Sequence, residues 1–314
     1  MNSAGAVLLH EDGPPGPPPD DDGSLIGGRP EVDRGELRQL LLDSLPDGTV
    51  AWGAKVTGVT SLRGGRHRLA FADGSSTDTD VLVSADGSWS RTRPLVSAAT
   101  PVYSGLSFVE AHLPDVDRLH PRAAALVGRG TLFALAEGRG MICQRNGDGR
   151  IRTYVALHVP EDWTTTGAID YDDPAVARAS LAAQLPGWDP ALLALITDAE
   201  DTLVPRPIYA LPVGHSWDRV PGVTLLGDAA HVMSPFAGEG ANLAMLDGAE
   251  LAVSIAEHPG DVEAALAAYE AAMFPRSARA AAESADSLVE CFAPGAPQGL
   301  LDQMARHHDE DPRR

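Results

Sequence analysis

The hydrophobic pattern of the chain is sharpest between Val223 and Asn242, where an apolar run, an acidic turn and a glycine-rich stretch follow one another. The run from Val223 to Leu226 is typical of a buried strand, and Gly227-Asp228 is typical of the turn that ends it. From Asn242 onwards, apolar residues recur at the spacing of a helix. The segment therefore predicts a strand, a turn and a helix, with Asp228 at the carboxyl end of the strand.

A second helical pattern lies in residues 31–45, which include Arg38. Leucines at helical spacing are expected to form its buried face. They are Leu37, Leu40, Leu41 and Leu45. Further helices are predicted at Val176–Leu185, Ala191–Ile196 and Val262–Glu290. Pro275 is expected to end or kink the last of these, because proline removes a hydrogen bond from a helix interior.

Short apolar or alternating runs separated by glycine turns predict strands in the rest of the chain. They are Ala4–His10, Val50–Trp52, Val56–Val59, Arg68–Phe71, Val81–Val83, Leu132–Leu135, Met141–Gln144, Thr153–Val159 and Val204–Leu211. The stretch Gly13–Gly23 is rich in proline and aspartate, which predicts an exposed loop. Helical and strand patterns together indicate a mixed α/β chain.

The predicted turn at Asp228 carries candidate chemistry. Ligands of open α/β sheets bind at the carboxyl ends of the strands, where a carboxylate can accept hydrogen bonds from sugar or ribityl hydroxyls. Pro235, Gly238 and Gly240 allow the backbone to approach a flat ligand closely. The amino terminus of the helix that begins near Asn242 would stabilise an anion through its free N–H groups. A plain strand, loop and helix, with glycines that serve only the turns, is the alternative.

Composition narrows the classes of partner. The 314 residues carry a formal net charge of -20, which disfavours nucleic acid and anionic membranes. The two cysteines, Cys143 and Cys291, have no metal-ligand spacing and fit a reducing compartment. The sequence contains no apolar run of about 18 residues, so it predicts no membrane-spanning helix. We expect a cytoplasmic monomer that binds a small molecule, without a metal site.

Three segments resemble the single-component, FAD-dependent aromatic hydroxylases, the group that includes p-hydroxybenzoate hydroxylase. GDAAH at 227–231, followed by Pro235 and FAGEGAN at 236–242, is similar to the second flavin-contacting motif of that family. Residues 86–93, DGSWSRTR, match its DGxxSxxR pattern, which serves the flavin and the nicotinamide pyrophosphate. Arg38 stands where the family places an arginine against the flavin. Within the family, the chain most resembles the flavin monooxygenases that inactivate tetracyclines.

The resemblance implies an α/β (α+β) fold with an incomplete Rossmann-like FAD-binding domain, a β-sheet substrate domain and a C-terminal helix. The implied boundaries are 1–97 and 204–258 for the FAD-binding domain, 98–203 for the sheet domain, and 259–314 for the helix and tail. It also implies an oxidoreductase that uses FAD and NAD(P)H. Such an enzyme hydroxylates an aromatic or polycyclic small molecule through a flavin hydroperoxide, and no protein residue serves as the catalyst.

The resemblance further implies which residues contact the ligands. The cofactor-binding residues are Arg38, Asp86, Gly87, Arg93, Asp228, Pro235, Gly238, Gly240, Ala241 and Asn242. Met233 and Phe236 are the implied substrate contacts, although Phe236 can equally fill the core. His231 is interpreted as a structural histidine, because flavin chemistry demands no protein base at that point.

One departure from the family pattern separates two hypotheses. The chain contains no GxGxxG, the turn that holds the ADP half of FAD in this family. A βαβ unit, about 80 to 100 residues, is therefore expected to be absent at the amino-terminal side. The alternative to the monooxygenase is accordingly an N-terminally truncated, non-catalytic remnant or a small-molecule-binding protein.

Overall fold

The computed structural model describes residues 1–9, 32–200 and 202–302. The chain divides into two compact units. Unit 1 comprises residues 1–50, 106–206 and those from 290 onward, and unit 2 comprises residues 51–105 and 207–289. This division groups residues 1–50 with the sheet of unit 1 and most of the long C-terminal helix with unit 2.

Unit 1 is built on a five-stranded sheet. The strands are β5 (Val102–Leu113), β6 (Thr131–Ala136), β7 (Arg139–Arg145), β8 (Ile151–His158) and β9 (Val204–Ala210), of which β5 and β9 continue into unit 2. Their order in the sheet is β6-β7-β8-β5-β9. The pairs β6-β7, β7-β8 and β5-β8 are antiparallel, and Glu110 of β5 lies opposite Tyr154 of β8. The strands predicted between residues 132 and 211 are confirmed.

Helices cover one face of this sheet and enclose the core of unit 1. They are α2 (Val116–Leu119), α3 (Pro121–Val127), α4 (Pro174–Ala183) and α5 (Pro190–Thr197). Alternate residues of β5, from Val109 to Leu113, pack with Leu181 and Leu192. Helix α4 begins at Pro174 because the Asp173 carboxylate accepts hydrogen bonds from the next free backbone N–H groups. Helices α4 and α5 were predicted, whereas α2 and α3 were not.

The first helix contradicts the prediction of a buried leucine face. Helix α1 (Arg34–Asp43) forms as predicted, but it contains no buried residue. Leu40 is 68% exposed, and Leu41 and Leu45 are also exposed. A leucine stripe is buried only where another element covers it, and of the four predicted leucines Leu37 alone is partly buried. The strand predicted at Ala4–His10 is also wrong, since residues 4–9 lack strand pairing and residue 10 lies outside the described residues. The loop predicted at Gly13–Gly23 lies outside them as well.

Unit 2 contains two small sheets. An antiparallel meander is formed by β1 (Val56–Ser61), β2 (His67–Phe71) and β3 (Ser76–Thr79). A parallel pair is formed by β4 (Leu82–Ser84) and β10 (Val223–Leu225). The strand predicted at Val50–Trp52 is wrong, because those residues have no strand pairing. Strand β3 was missed because its four residues are polar.

The meander packs closely against the backbone of the residues just before β10. Gly222 has a φ of 72°, and a Cβ added there would lie 1.8 Å from the carbonyl oxygen of Gly65. His67 contacts the carbonyl oxygen of Pro221 through Nε2 at 3.0 Å. Only glycine therefore fits at position 222, immediately before the strand that leads to Asp228.

Three helices complete unit 2, namely α6 (Asp228–His231), α7 (Gly240–Glu257) and α8 (Val262–Phe292), whose last residues belong to unit 1. Helix α8 continues through Pro275, so of the two predicted effects, an end or a kink, the end does not occur and the kink stays a prediction. Its N-terminal half is held by burial of Leu266, Tyr269 and Met273, and the Tyr269 hydroxyl donates to the Leu225 carbonyl at 3.1 Å. This packing outweighs the one hydrogen bond that Pro275 removes. Among the helices in the described ranges, none is long and apolar enough to cross a membrane.

Candidate functional site

The turn after β10 is shaped by a glycine. All three residues of β10 are buried, and Gly227 follows with φ 57° and ψ -141°, a conformation that L side chains rarely adopt. A Cβ at Gly227 would lie 3.0 Å from the Cβ of Ala244 on α7. Helix α6 begins directly after this turn, at Asp228, and the Asp228 side chain is exposed. The predicted arrangement of a buried strand, a tight turn and an accessible carboxylate is present.

The second predicted motif, residues 86–93, follows β4 in the same unit. The Asp86 carboxylate accepts hydrogen bonds from the Ser84 hydroxyl and, at 2.7 Å, from the Arg91 backbone N–H. Burial of Asp86 opposes its ionisation, but these hydrogen bonds outweigh burial and leave its pKa below the ordinary value. Ser90 accepts hydrogen bonds from the backbone N–H groups of Thr92 and Arg93. Asp86 therefore fixes the shape of its own loop.

Arg93 ties the two motifs together. Its side chain is only 3% exposed, and its Nε donates to the carbonyl oxygen of Ala229 at 2.8 Å. One terminal nitrogen donates to Ser88 O at 2.8 Å and to Asp228 O at 3.2 Å. Burial lowers the arginine pKa, whereas the carboxylates of Asp86 and Asp228 oppose that shift. The predicted contact of Arg93 with a cofactor stays a prediction, and its described contacts are to backbone carbonyls of both motifs.

The motifs also meet at the exposed side of the site. The Ser88 hydroxyl lies 3.4 Å from an Asp228 carboxylate oxygen, and Gly87 has a φ of 81° with open space where a Cβ would lie. Trp89, which belongs to the same loop, packs edge-on against Tyr209 at 5.0 Å between ring centroids. A carboxylate, a hydroxyl and an open glycine thus lie side by side.

The glycine-rich loop follows α6 and leads into α7. Pro235–Ala237 form one 3-10 turn, Gly238 has a φ of 70°, and α7 begins at Gly240, two residues before the predicted start. Open space surrounds the positions where Gly238 and Gly240 would carry a Cβ. The first N–H groups of α7, at Gly240, Ala241 and Asn242, precede the first helical hydrogen bond of Leu243 to Glu239.

A pair of buried serines anchors the start of this loop. The Ser284 hydroxyl on α8 donates to the Ser234 carbonyl at 2.5 Å, and the two hydroxyl oxygens are 2.6 Å apart. Met233 and Phe236, the predicted substrate contacts, flank Ser234 and are half-buried. Neither role of Phe236 is decided by this burial, so the substrate contacts stay predictions.

Two polar residues that contact each other, the buried Asp247 and the partly exposed Arg276, were not predicted from the sequence. Asp247 on α7 and Arg276 on α8 form an ion pair, and Asp247 also contacts His231. His231 is 4% exposed, which agrees with its interpretation as a structural histidine. An aspartate within the apolar pattern of α7 was the available signal, since a carboxylate on a buried helix face needs a partner.

Arg38 belongs to a different unit of the chain from the other predicted cofactor residues. It is an exposed residue of α1 in unit 1, whereas the nine others belong to unit 2. Its predicted contact with the flavin stays a prediction. Among the described residues, no group of three or more His, Cys, Asp or Glu side chains is placed to hold a metal ion.

The residues of unit 2 fit the isoalloxazine and ribityl part of FAD. An exposed carboxylate at Asp228 can accept hydrogen bonds from hydroxyl groups, and open glycines leave room for a flat ring. The N–H groups at the start of α7 suit negative charge on the ring or a phosphate. Together, the acceptor, the open glycines and the N–H donors are the kinds of group that a flavin requires.

Comparison with known proteins identifies relatives. The family described as FAD binding domain matches residues 214–284, which include β10, α6, the glycine-rich loop and α7. The monooxygenase penA of Penicillium thymicola is 31% identical over 304 residues, an alignment that covers 81% of this chain and 70% of that protein. The crystal structure of Klebsiella pneumoniae HpxO, complexed with FAD and uric acid, is similar with a TM-score of 0.71 and 26% identity, covering 89% of this chain and 68% of that chain.

The tetracycline-inactivating monooxygenases named by the sequence resemblance are also found among the structural neighbours. Tetracycline destructase Tet(51) matches with a TM-score of 0.62 and 18% identity, covering 87% of this chain and 72% of that chain. A likeness at this identity shows the shared fold.

Proposed function

Because the chain belongs to the family of FAD-dependent monooxygenases, we propose that it uses FAD and NAD(P)H to hydroxylate an aromatic or polycyclic small molecule. The observation that carries this proposal is the joining of two motif loops by Arg93 beside an exposed Asp228. A buried guanidinium bonded to both loops keeps the exposed carboxylate and the open glycines next to each other.

The proposed cofactor contacts follow from the chemistry of each group. Asp228 accepts hydrogen bonds from ribityl hydroxyls, and the start of α7, at Gly240 to Asn242, steadies negative charge on the ring. Pro235 and Gly238 let the backbone approach the ring. Gly87 offers a further open backbone position beside Ser88. When bound, reduced FAD supplies the oxygen-transfer chemistry, while the protein supplies placement.

Arg38, Asp86 and Arg93 have different proposed roles. Arg38 binds the flavin or its phosphates, since its guanidinium is exposed. Asp86 and Arg93 act through backbone groups of the two loops, supported by their hydrogen bonds to Arg91 N, Ser88 O and Ala229 O. Met233 and Phe236 contact the substrate next to the ring.

The substrate class is proposed from the relatives and from the composition of the chain. HpxO was crystallised with uric acid, a planar heteroaromatic compound. The net charge of -20 disfavours a polyanionic partner. A cytoplasmic location belongs to the same proposal, supported by two buried cysteines without a disulfide, which fit a reducing compartment. The proposal also includes a monomeric state.

Turnover with a panel of planar aromatic and polycyclic compounds tests this function. The purified chain is incubated with FAD, NADH or NADPH, and each candidate compound in air. We expect coenzyme oxidation, oxygen consumption and a product that is heavier by one oxygen atom. Ser76→Ala, on β3, serves as a control that should retain the wild-type rate, whereas Asp228→Ala should lose it. Binding of compounds without coenzyme oxidation would support a small-molecule-binding protein and refute the proposal.

A further inference from the structure

Asp247 occupies a buried position at which three segments of unit 2 converge. Its side chain is completely buried on α7. One carboxylate oxygen accepts hydrogen bonds from the Gly227 backbone N–H at 2.9 Å and from His231 Nε2 at 2.7 Å. The other oxygen accepts from a terminal nitrogen of Arg276 on α8 at 2.8 Å. The strand-to-helix turn, α7 and α8 are therefore joined at one carboxylate.

These partners make a charged Asp247 tolerable in the interior. Burial raises the pKa of Asp247, but hydrogen bonds from His231, Gly227 and Arg276 outweigh burial and leave the pKa below its ordinary value. Arg276 also donates to Glu250 of α7 at 2.6 Å through its other terminal nitrogen. A buried carboxylate with this many donors is a strong, directional anchor.

The anchored amide has a specific location. Gly227 is the turn residue immediately before Asp228; it adopts a positive φ, and because it lacks a Cβ its backbone is less restricted than that of other residues. Ala244 of α7 packs where a Cβ of Gly227 would lie, and Asp247 stands three residues further along the same helix face. Helix α7 therefore presents its amino terminus to the proposed ligand and, through Asp247, also holds the turn that carries Asp228.

We propose that Asp247 is a positioning residue that fixes the Asp228 turn relative to the amino terminus of α7, with His231 and Arg276 as its supporting donors. This inference rests on the proposed function, because the two positioned features are the proposed contacts of FAD. Asp247 acts through the Gly227 amide, since its own side chain is inaccessible to a ligand.

The test compares Asp247→Asn with the matched control Glu250→Gln. Both changes neutralise a carboxylate of α7 that bonds Arg276, but only Asp247 contacts the turn. Two quantities are measured, the dissociation constant of FAD by fluorescence titration and the hydrogen-exchange rate of the Gly227 amide. We expect Asp247→Asn to raise both by about tenfold or more, because a charge-assisted hydrogen bond is lost, and Glu250→Gln to change neither by more than about twofold.

The outcomes separate this inference from the proposed function. If the wild-type chain does not bind FAD, the proposed function fails, and exchange at the Gly227 amide still decides whether Asp247 holds the turn. Equal effects of the two variants on both quantities would overturn the positioning role, because they would reflect general destabilisation. If Asp247→Asn does not fold, His231→Leu replaces it, since leucine fills part of the buried position but removes the N–H donor to Asp247. A wild-type FAD affinity and a wild-type Gly227 exchange rate in that variant would contradict the inference.

Discussion

Replacement of Arg93 by methionine tests whether the two motif loops are held together by one buried side chain. Methionine keeps an unbranched apolar side chain of similar length but removes every donor. The change leaves the carbonyl oxygens of Ser88, Asp228 and Ala229 without the guanidinium that now bonds them. Two of these bonds are short, at 2.8 Å each, and the third is longer at 3.2 Å.

The magnitude follows from the number and quality of these bonds. A hydrogen bond to a charged group contributes about 1.5–3 kcal/mol, so the two short bonds of Arg93 correspond to about 3–6 kcal/mol. Relaxation of the loops and entry of water reduce this loss, and we expect the free energy of unfolding to fall by about 3–4 kcal/mol. A loss of this size is a large fraction of the roughly 5–15 kcal/mol by which proteins are stable.

Urea denaturation followed by tryptophan fluorescence and circular dichroism measures the effect. Arg91→Met is the matched control, because Arg91 lies in the same loop, is exposed and contacts Thr57 O only at 3.4 Å. Its expected change is within about 0.5 kcal/mol. Arg93→Lys keeps the charge and one donor and should lie between the two. Indistinguishable midpoints for Arg93→Met and Arg91→Met would refute the role of Arg93 as the link between the loops.

Three further predictions follow from buried groups. Hydrogen bonds overcome burial and lower the pKa of Asp247, so its contribution to stability is present above about pH 4 and is lost as the pH falls through its native value. The difference in unfolding free energy between the wild type and Asp247→Asn should therefore shrink in acid denaturation series below about pH 4, and a constant difference would contradict this. Gly222→Ala should lower the free energy of unfolding by about 3 kcal/mol or more, because its Cβ meets a backbone carbonyl and its φ is positive. Gly248→Ala on α7 should instead raise the free energy of unfolding by about 0.5–1 kcal/mol. Thermal denaturation measures both variants. Burial raises the pKa of the Cys143 thiol to about 12 and that of the Cys291 thiol to about 11. A disulfide reagent at neutral pH should therefore modify neither thiol until the protein is unfolded. Rapid labelling of the native chain would contradict this prediction.

The motif loops were predictable from the sequence because local chemistry determines them. Gly227 and Gly238 adopt positive φ angles that glycine permits, and the Asp86 carboxylate bonds groups within five residues of itself. The strands of unit 1 were equally predictable, since their alternation reflects one face buried against helices. In these cases, the information lies within a short stretch of chain.

Features that depend on distant partners were not predictable in the same way. The stripe of leucines on α1 has the period of a buried face, yet burial requires a covering surface that a local pattern does not contain. The ion pair between Asp247 and Arg276 joins residues on different helices, and the hydrogen bonds of Arg93 reach across 135 and 136 residues. The continuation of α8 through Pro275 has the same kind of cause, because tertiary burial of Tyr269 and Met273 holds the helix together.

The proposed function requires that the segment from Gly227 to Asn242 binds FAD. Its most direct test is a titration of the purified chain and of Asp228→Asn with FAD, followed by the visible flavin spectrum after removal of unbound cofactor. Asp218→Asn, which alters another exposed aspartate of unit 2, is the control. We predict retained, perturbed flavin bands at equal stoichiometry for the wild type and the control, and an affinity for Asp228→Asn that is lower by about tenfold. A colourless wild-type protein, or equal affinities in all three proteins, would contradict the claim.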